Sequence, residues 1–583
     1  MVSPSWRRFV VKGLLGCWII VSLAASLAMY SLWWQREKVN FLGVDPQDQR
    51  RVIWKQAGLP DGVLALLPRL ETWPNDASYS IRGDTNRQSY LKYLLLPRVP
   101  RGSERYVVDV DSLQIQGEGS ERILERELPL RGVFAPLGSL LIMAGITVLF
   151  RRITHRSGLS IPEALALSCL LVMLVVVASK AVLLQSFPAF ILLSVISGGG
   201  WLWQLTRALK RHRMLKEEGS SAFPIKQVHA DWRSVPLDRG ELIFIVLLLS
   251  SLIWSVLMAV VVVPDDWDAW AIWGAKAKAL ALTVGPLQDV TYFGHGDYPL
   301  LWPAVWALSG WCGGGWEEMG SRIWGPVFMI MCCWELIHVV WCNSASRWAS
   351  LFTAALFASI PMVPLVSSWS YAEAPFWLMT ICTYGCLSRW RATGSTMDIA
   401  CAALLTSAAA MTKNEGVLFS ALVFLWVFAS RRPGRYQAIG MLTAIFVCLY
   451  LPWVYWVKIH LALSSHATEG LRLNWGTLAR AAERLPIALE VIGRMWADPR
   501  QWNVVLWGIA VTMLYALCQR QQREDFLLPL GMLLAYCIIV VFHTADIYWQ
   551  VGTSWNRLTL QVIPLSLAIV VSRMVIPVRQ WLI

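Results

Sequence analysis

The sequence predicts an all-α protein that crosses a membrane many times. Of its 583 residues, 56% are hydrophobic and only 15% are charged, whereas soluble domains average about 25% charged residues. Apolar stretches such as 242–263 are long enough to span a bilayer, which takes roughly 20 helical residues. Short basic clusters recur between these stretches, which is typical of the loops of multi-pass membrane proteins.

The positions of the basic clusters predict which way each helix runs. Arg7, Arg8 and Lys12 precede the first apolar stretch, 9–34, so we expect the amino terminus inside. That stretch is too long and too aromatic for a cleaved signal peptide, and we expect it to remain as a spanning helix. Later clusters return to the inside and give about fourteen spanning helices, with both termini inside. The later clusters that we expect inside contain Arg151, Arg211, Arg347, Arg389, Arg431, Arg520 and Arg573.

One apolar stretch, 299–311, decides this topology because it has only about 13 residues, too few for an ordinary span. If it crossed the membrane, every later basic cluster would move to the outside. We therefore expect 273–282 and 299–311 to be half-buried interfacial helices of one outer loop, 264–320.

This topology divides the chain into regions of different character. The stretch 35–132 is polar and lies outside, and its alternating residues 106–110 indicate a strand within a small α/β segment. In chain order we expect a spanning helix at 1–34, the outer segment at 35–132, additional spanning helices with a cytoplasmic loop at 133–241, and a membrane module at 242–583 with outer loops 264–320 and 458–500.

The charge and the cysteines argue against several other classes of protein. The net charge of +13 comes from the basic loop clusters, so we expect no nucleic-acid partner. None of the 12 cysteines falls in 35–132, which rules out a disulfide framework there, and no cysteines and histidines have the spacing of a zinc site. Cys382 and Cys386 lie one helical turn apart and are expected to be packing residues.

The most informative chemical motif follows directly after a fully apolar stretch. Asp265, Asp266 and Asp268 stand there beside Trp267 and Trp270. Carboxylates at a membrane exit are costly unless they meet water, a cation or a substrate. They are candidates for a general base, or for ligands of a divalent cation such as Mg²⁺ or Mn²⁺. A solvated helix end rimmed by interfacial tryptophans is the alternative.

The topology places further polar residues on the same outer face. Asp297 has the position of a helix N-cap, which is an alternative to a role in a site. The lysines near it can extend toward lipid headgroups, and Lys413 can pair locally with Glu415. Glu335 and His338 lie three residues apart near the inner end of a helix, and we expect them to hydrogen-bond each other or a neighbouring helix. The candidate substrate- or phosphate-binding residues are Lys276, Lys278, Asp297, Tyr298, Tyr371, Glu373, Lys413, Glu415 and Arg557.

These residues belong to short motifs that follow one another along 242–583. The motifs are Trp267-Asp268-Ala269-Trp270 with Lys276-Ala277-Lys278, Asp297-Tyr298-Pro299-Leu300-Leu301, Tyr371-Ala372-Glu373, Lys413-Asn414-Glu415-Gly416 and Thr553-Ser554-Trp555-Asn556-Arg557-Leu558. Their order resembles that of the GT-C glycosyltransferases, which include the protein O-mannosyltransferases and the lipid A aminoarabinose transferases. The resemblance is closest to a bacterial subgroup of that class.

The resemblance implies a membrane module of GT-C type and an inverting glycosyltransferase of the bacterial inner membrane, with its active site on the periplasmic face. The donor would be a sugar carried on a polyprenyl phosphate in the membrane, and the acceptor a glycan, a lipid or a protein. Asp268 or Asp266 would accept the proton of the acceptor hydroxyl, with Asp265 as a third candidate. Lys413 and Arg557 would stabilise the leaving phosphate, with Lys276 or Lys278, while Tyr371 and Glu373 would orient the sugar or the acceptor.

Two other classes of function remain open. A transporter or flippase of a polyprenyl-linked or other anionic lipid would also have many helices with charges near their ends. Transporters tend to place ionisable residues near the bilayer midplane and often show paired repeats, and we find neither in this sequence. The third hypothesis is a non-catalytic scaffold that recruits partners through 35–132.

Overall fold

Long apolar helices form the body of the protein, and one small sheet precedes them. The computed structural model describes residues 131–154, 159–185, 187–217, 236–261, 267–313, 322–463, 475–503, 523–543 and 546–580, with short pieces before residue 117 and a few isolated positions. Most of the predicted first span, 9–34, lies outside the described residues, as do Asp265 and Asp266.

The small sheet lies within the polar segment 35–132. Strand β1 (Ser80–Arg82) pairs in parallel with β2 (Val107–Asp109), and β2 pairs antiparallel with β3 (Gln114–Gln116). β2 falls inside the alternating residues 106–110, where the sequence predicts a strand. The helical part expected in this segment lies almost wholly outside the described residues.

Helices make up nearly all of the remaining described chain. α2 begins at a capping box, in which Ser160 and Glu163 each accept from the other's backbone N–H. Two π-helical segments, π1 and π2, continue or precede α-helices. In chain order the helices are α1 (Arg131–Ile153), α2 (Ile161–Leu183), α3 (Phe187–Glu217), α4 (Arg239–Val261), π1 (Asp268–Gly274), α5 (Ala275–Leu282), α6 (Leu301–Cys312), α7 (Trp324–Ser344), α8 (Arg347–Ala358), α9 (Met362–Ser368), α10 (Glu373–Thr393), α11 (Thr396–Thr412), α12 (Glu415–Ala429), α13 (Arg435–Val454), π2 (Tyr455–His460), α14 (Trp475–Trp496), α15 (Pro499–Trp502), α16 (Leu527–Phe542) and α17 (Ile547–Gln580).

The described helices are those of a multi-pass membrane protein. Within the described residues, 8 helices are long and apolar enough to cross a membrane, or up to 9 if α8 and α9, which meet at 64°, form one broken span. The shorter apolar helices α11 and α12 pack among them. The predicted count of about fourteen spans is therefore not confirmed by this part of the chain.

Helix α6 lies in the core of the bundle and is not half-buried. Every side chain from Leu301 to Trp311 is buried, whereas a helix in the membrane interface keeps one face exposed. Trp302 and Trp306 pack side by side, and Ser309 accepts from the indole N–H of Trp324 at 2.9 Å. The prediction of a half-buried helix at 299–311 is thus wrong, because helices from earlier in the chain cover its outer face.

Those covering helices come from the region that the sequence sets apart as additional spans. α1 and α2 pack directly on α6, and α2 also contacts α7, α10 and α11. Ser139 of α1 accepts from Ser309 of α6 at 2.9 Å. Lys180, near the end of α2, is fully buried and donates to the side chain of Thr283 at 2.9 Å, beyond the end of α5. Helices of 133–241 and 242–583 therefore form one continuous bundle.

The two ends of this bundle carry different side chains. At one end, arginines bind acids from neighbouring helices: Arg347 binds Glu241 at 2.6 Å, and Arg391 binds Asp525 at 2.6 Å. At the other end, aromatic rings surround a second set of charges. We name the first the basic end, defined by Arg347, Arg389, Arg391 and Arg432, and the second the aromatic end, defined by Trp267, Trp273, Tyr298 and Tyr371.

A buried network of acids lies toward the basic end. The guanidinium of Arg389 binds Glu163 at 2.7 Å and Asp398 at 3.0 Å. Glu335 accepts from the hydroxyl of Ser160 at 2.6 Å, and its other oxygen lies 3.4 Å from the ring of His338. The expected contact between Glu335 and His338 is thus confirmed. Because these bonds join α2, α7, α10 and α11, they hold the bundle together inside its apolar core.

Replacing Arg389 by glutamine should destabilise the fold. The variant leaves the carboxylates of Glu163 and Asp398 buried without their cation, which costs about 3–5 kcal/mol when one partner of a buried pair is removed. Thermal unfolding in detergent should show a clearly lower midpoint. The control is Arg500→Gln, because the Arg500 side chain is 65% exposed beside Asp498. Equal midpoints for Arg389→Gln and the unaltered protein would contradict this role.

Candidate functional site

The polar motifs predicted to face outward meet at the aromatic end of the bundle. They lie where helices begin or end: Glu373 is the first residue of α10, Lys413 follows α11, and Glu415 begins α12. Asp268 begins π1, which follows α4 after a short gap, and Arg557 lies in the third turn of α17. Separate parts of the chain thus contribute to one group of charged side chains.

Both π-helices of the described chain deliver a charged residue to this group. Asp268 is the first residue of π1, and Lys458 lies within π2. π-helical turns are rare and occur frequently at functional sites. π1 ends at Gly274, where a Cβ atom would lie 3.0 Å from the carbonyl oxygen of Ala269 and 3.4 Å from the ring of Trp306. A glycine there lets π1 lie close against α6.

The first centre of the site joins Asp268, Arg557 and Tyr371. The guanidinium of Arg557 donates to Oδ2 of Asp268. It also lies 4.9 Å above the ring of the buried Tyr371, a favourable arrangement of a cation over an aromatic face. The Asp268 and Arg557 side chains are 23% and 20% exposed, so the pair is reachable from outside the bundle.

The second centre is Lys413 between two carboxylates. Its ammonium lies 2.8 Å from Glu373 and 3.1 Å from Glu415. Burial alone lowers the pKa of Lys413, but the two carboxylates more than offset this, so its pKa is raised and the amine stays charged. With two carboxylates and one ammonium, this centre carries net negative charge. Within the described residues, the buried Oε2 atoms of Glu373 and Glu415 have no hydrogen-bond partner.

The third centre is Asp297, which is buried and accepts from two side chains. Asn414 donates to its Oδ2 at 2.8 Å, and the Lys458 ammonium lies 3.4 Å from the same oxygen. The alternative that Asp297 caps α6 is wrong, because the N-cap residue of that helix is Leu300 and no side chain bonds to its first turn. Asn414 follows Lys413 directly, so the second and third centres are adjacent.

Aromatic rings and one buried lysine support these centres. Tyr298 stacks between Trp273 and His295, with ring centroids 5.3 and 4.8 Å away. Burial, and the negative charges of nearby carboxylates, raise the pKa of the Tyr298 hydroxyl well above its usual value. The amine of Lys276 donates to the carbonyl oxygens of His295 and, at 3.3 Å, of Tyr298. Lys276 therefore fixes the loop that carries Asp297.

Some of the predicted site residues do not belong to the three centres. Lys276 is fully buried and directed at backbone carbonyls, while Lys278 on the same helix is half-buried. Asp265 and Asp266 lie outside the described residues. Among the described side chains, no group of three or more His, Cys, Asp or Glu residues is arranged to hold a metal ion. The predicted divalent cation thus stays a prediction that concerns Asp265 and Asp266 together with Asp268.

Lys458 is the functional candidate that the sequence analysis missed. The signal was available, since this lysine ends an apolar span just as the acidic motif does. In the sequence it is only the first residue of the outer loop 458–500, and lysines at the ends of spans commonly extend toward lipid headgroups. Only the folded chain shows its amine turned toward Asp297, which lies 161 residues earlier.

The buried amine of Lys276 should make the stability of the protein depend on pH. Burial lowers the pKa of Lys276 to about 7, partly opposed by Asp297, whereas an unfolded lysine titrates near its usual value of about 10.4. Between these values the unfolded state binds more protons, so stability rises with pH in that window. The unfolding midpoint of the unaltered protein should therefore increase from about pH 7 to about pH 10.

The Lys276→Met variant is the control for this pH effect. It removes the titrating amine, so its midpoint should rise less over the same pH range, whatever its stability at the start. Both proteins share all other titrating groups, and the difference in slope isolates Lys276. An identical slope in the two proteins would contradict a neutral, buried amine.

No model of a known protein family matches this sequence, and no curated protein matches it. The resemblance to GT-C enzymes therefore rests on the order of the short motifs along 242–583. The chemistry of the three clustered centres is the basis on which a function is assigned.

Proposed function

We propose that the protein is an inverting glycosyltransferase that moves a sugar from a polyprenyl-phosphate carrier to an acceptor hydroxyl. The proposed site is the group of centres at the aromatic end, and the proposed location is the periplasmic face of a bacterial inner membrane. One observation carries the proposal: Asp268, Glu373, Lys413, Glu415 and Arg557 come from four segments of the chain and lie in one cluster of interacting charges.

The second centre has the features of a binding site for a polyhydroxyl ligand. The Oε2 atoms of Glu373 and Glu415 are buried without a partner in the described part of the chain, and an unpaired buried acceptor is costly. The hydroxyl groups of a sugar would donate to these oxygens. The indole N–H of Trp267 is likewise buried without a described partner, and the rings at this end provide flat faces for a sugar to lie against.

The first centre suits the proton transfer of the reaction. In the proposed step, Asp268 takes the proton of the acceptor hydroxyl while that oxygen forms a bond to the anomeric carbon. The bond from the anomeric carbon to the carrier phosphate breaks, and its electron pair leaves on the phosphate oxygen. Once Asp268 is protonated, the charge of Arg557 is no longer balanced by it. Because Arg557 is bonded to Asp268 on the attacking side, this positive charge acts on the departing phosphate at a distance and not by direct contact.

The placement of Glu373, Lys413 and Glu415 favours an enzyme over the alternative of a transporter or flippase, whereas Arg557 lies near the middle of the candidate span Ile547–Ser572. Transporters tend to hold substrate and coupling ions near the bilayer midplane. Glu373 and Glu415 are instead the first residues of their helices, and Lys413 lies in the turn between two helices. A site at helix ends suits a reaction with an acceptor that approaches from water.

Replacing Asp268 by asparagine should abolish sugar transfer while leaving the fold intact. The amide cannot accept the proton, and a general base contributes about 10²–10⁴ in rate. The assay uses purified protein in detergent with a panel of radiolabelled polyprenyl-phosphate sugars, and it measures polyprenyl phosphate released. Glu490→Gln is the control, because that side chain is 58% exposed and pairs only with Arg494 in the next turn. An active, normally expressed double variant, Asp268→Asn with Asp266→Asn, would rule out the assignment.

Asp268 and Arg557 should act as one unit in the reaction. If Arg557 works by balancing Asp268, then Arg557→Gln added to Asp268→Asn should cause little further loss of kcat/KM. A double-mutant cycle measures this, and contacting charges typically give coupling of about 0.5–3 kcal/mol. Losses that simply add would show that the two residues contribute independently.

A further inference from the structure

Two cations of the described aromatic end are already closely paired with carboxylates. Lys413 is buried between Glu373 and Glu415, and Arg557 is held by Asp268. An anionic group arriving at either cation would also meet the negative charge of its partner. Neither cation is therefore well placed to bind a phosphate before the reaction starts.

Lys458 also has a carboxylate partner, but it differs from both in being more exposed and more loosely paired. Its side chain is 37% exposed, and its one ionic partner among the described residues is Asp297 at 3.4 Å. An ammonium group has three N–H donors, so two remain for a ligand. Lys458 therefore contacts the site through Asp297 and is also accessible from outside the bundle.

Among the described spans, the one that carries Lys458 is least covered by protein. Only 17% of the span Arg435–His460 is buried inside the protein, compared with 78% for Ile547–Ser572. Around Lys458, the side chains of Leu451, Tyr455 and Ile459 are 53%, 59% and 66% exposed. Exposed apolar side chains on a membrane span face lipid tails, so this wall of the site lies directly against the bilayer.

The direction of the Lys458 side chain argues against a simple anchoring role. A lysine that extends to the membrane surface places its amine in water among headgroups. The amine of Lys458 instead turns inward to Asp297, which is only 3% exposed and also accepts from Asn414. Lys458 thus lies between the exposed face of its helix and the charged site.

We propose that Lys458 binds the phosphate of a lipid-borne substrate that enters the site from the bilayer beside α13 and π2. The prenyl chain of that lipid would lie along the exposed apolar face of α13, and its phosphate would meet the two free N–H groups of Lys458. This inference rests on the proposed function, because it names the residue that receives the carrier phosphate in that reaction.

The position of Lys458 also fits the geometry of an inverting displacement. The acceptor oxygen attacks one face of the anomeric carbon, and the phosphate leaves from the opposite face. The base and the phosphate ligand must therefore be different groups at separate positions. Asp268 on π1 and Lys458 on π2 meet this requirement, and the ammonium offsets the charge that the departing phosphate oxygen gains.

The test is the binding of two lipids that differ only in the phosphate, a polyprenyl phosphate and the corresponding polyprenol. Binding to purified protein in detergent is measured for the unaltered protein and for Lys458→Gln, Lys458→Arg and Arg494→Gln. Arg494 is a matched control, since its side chain is 77% exposed and pairs with Glu490 away from the site. Inorganic phosphate, added as a competitor, separates recognition of the lipid from recognition of the anion alone.

The unaltered protein should bind the phosphate lipid at least tenfold more tightly than the alcohol, because a bond to a charged group is worth about a factor of ten or more. Lys458→Gln should lose that preference, while Lys458→Arg and Arg494→Gln keep it, and inorganic phosphate should compete only weakly. Equal binding of both lipids by the unaltered protein, no binding of either, full competition by inorganic phosphate, or an unchanged preference in Lys458→Gln would each overturn the inference.

Sugar transfer is measured on the same preparations, so the two proposals fail separately. Transfer that depends on Asp268 but lipid binding that ignores Lys458 would overturn only the role of Lys458. Phosphate-dependent binding through Lys458, with no transfer of any sugar, would keep this lysine as a lipid site and overturn the enzyme. Unfolding midpoints of all variants confirm that each protein is folded.

Discussion

Charge that is buried at the end of a membrane helix needs a partner of opposite charge, and this constraint organises the described structure. Burying an unpaired ion costs several kcal/mol, so Arg389 and Lys413 each join the helices that supply their acids. Arg389 ties α10 to α2 and α11 toward the basic end. Lys413 ties the turn after α11 to α10 and α12 at the aromatic end. The helices are held in register by these bonds, and the apolar packing of α6 fills the space between them.

The two ends meet the same constraint with different consequences. Toward the basic end, the network around Arg389 and Glu335 is enclosed by helices and accounts for stability. At the aromatic end, Asp268 and Arg557 remain partly exposed, and two buried carboxylate oxygens keep an unused acceptor position. The ion pairs at this end therefore leave two carboxylate oxygens that can accept hydrogen bonds from a ligand. Lys458 is the partly exposed cation of the same site, and in the proposed function it would receive a membrane-borne substrate.

Much of this arrangement could be predicted from the sequence, because the positive-inside pattern fixes which loops share a face. That pattern predicts that Asp268 and Arg557 lie on the same face, although they are 289 residues apart in the chain. It does not determine which side chains pair, and so Asp297 was open to interpretation as a helix cap and Lys458 was missed. The burial of α6 was also out of reach, since it depends on α1 and α2 packing across it and not on its own residues. Its short length suggested an interfacial helix, whereas a helix enclosed by others has no need to span the bilayer.

The most direct test of the account is a single experiment on proteoliposomes that contain the purified protein and a polyprenyl-phosphate sugar in one leaflet. Free polyprenyl phosphate and the leaflet position of the intact donor are followed together after a soluble acceptor is added. The account predicts that carrier phosphate is released while intact donor does not change leaflet. Movement of intact donor across the bilayer, without release of carrier phosphate, would contradict it and would identify the charged centres as part of a lipid transporter.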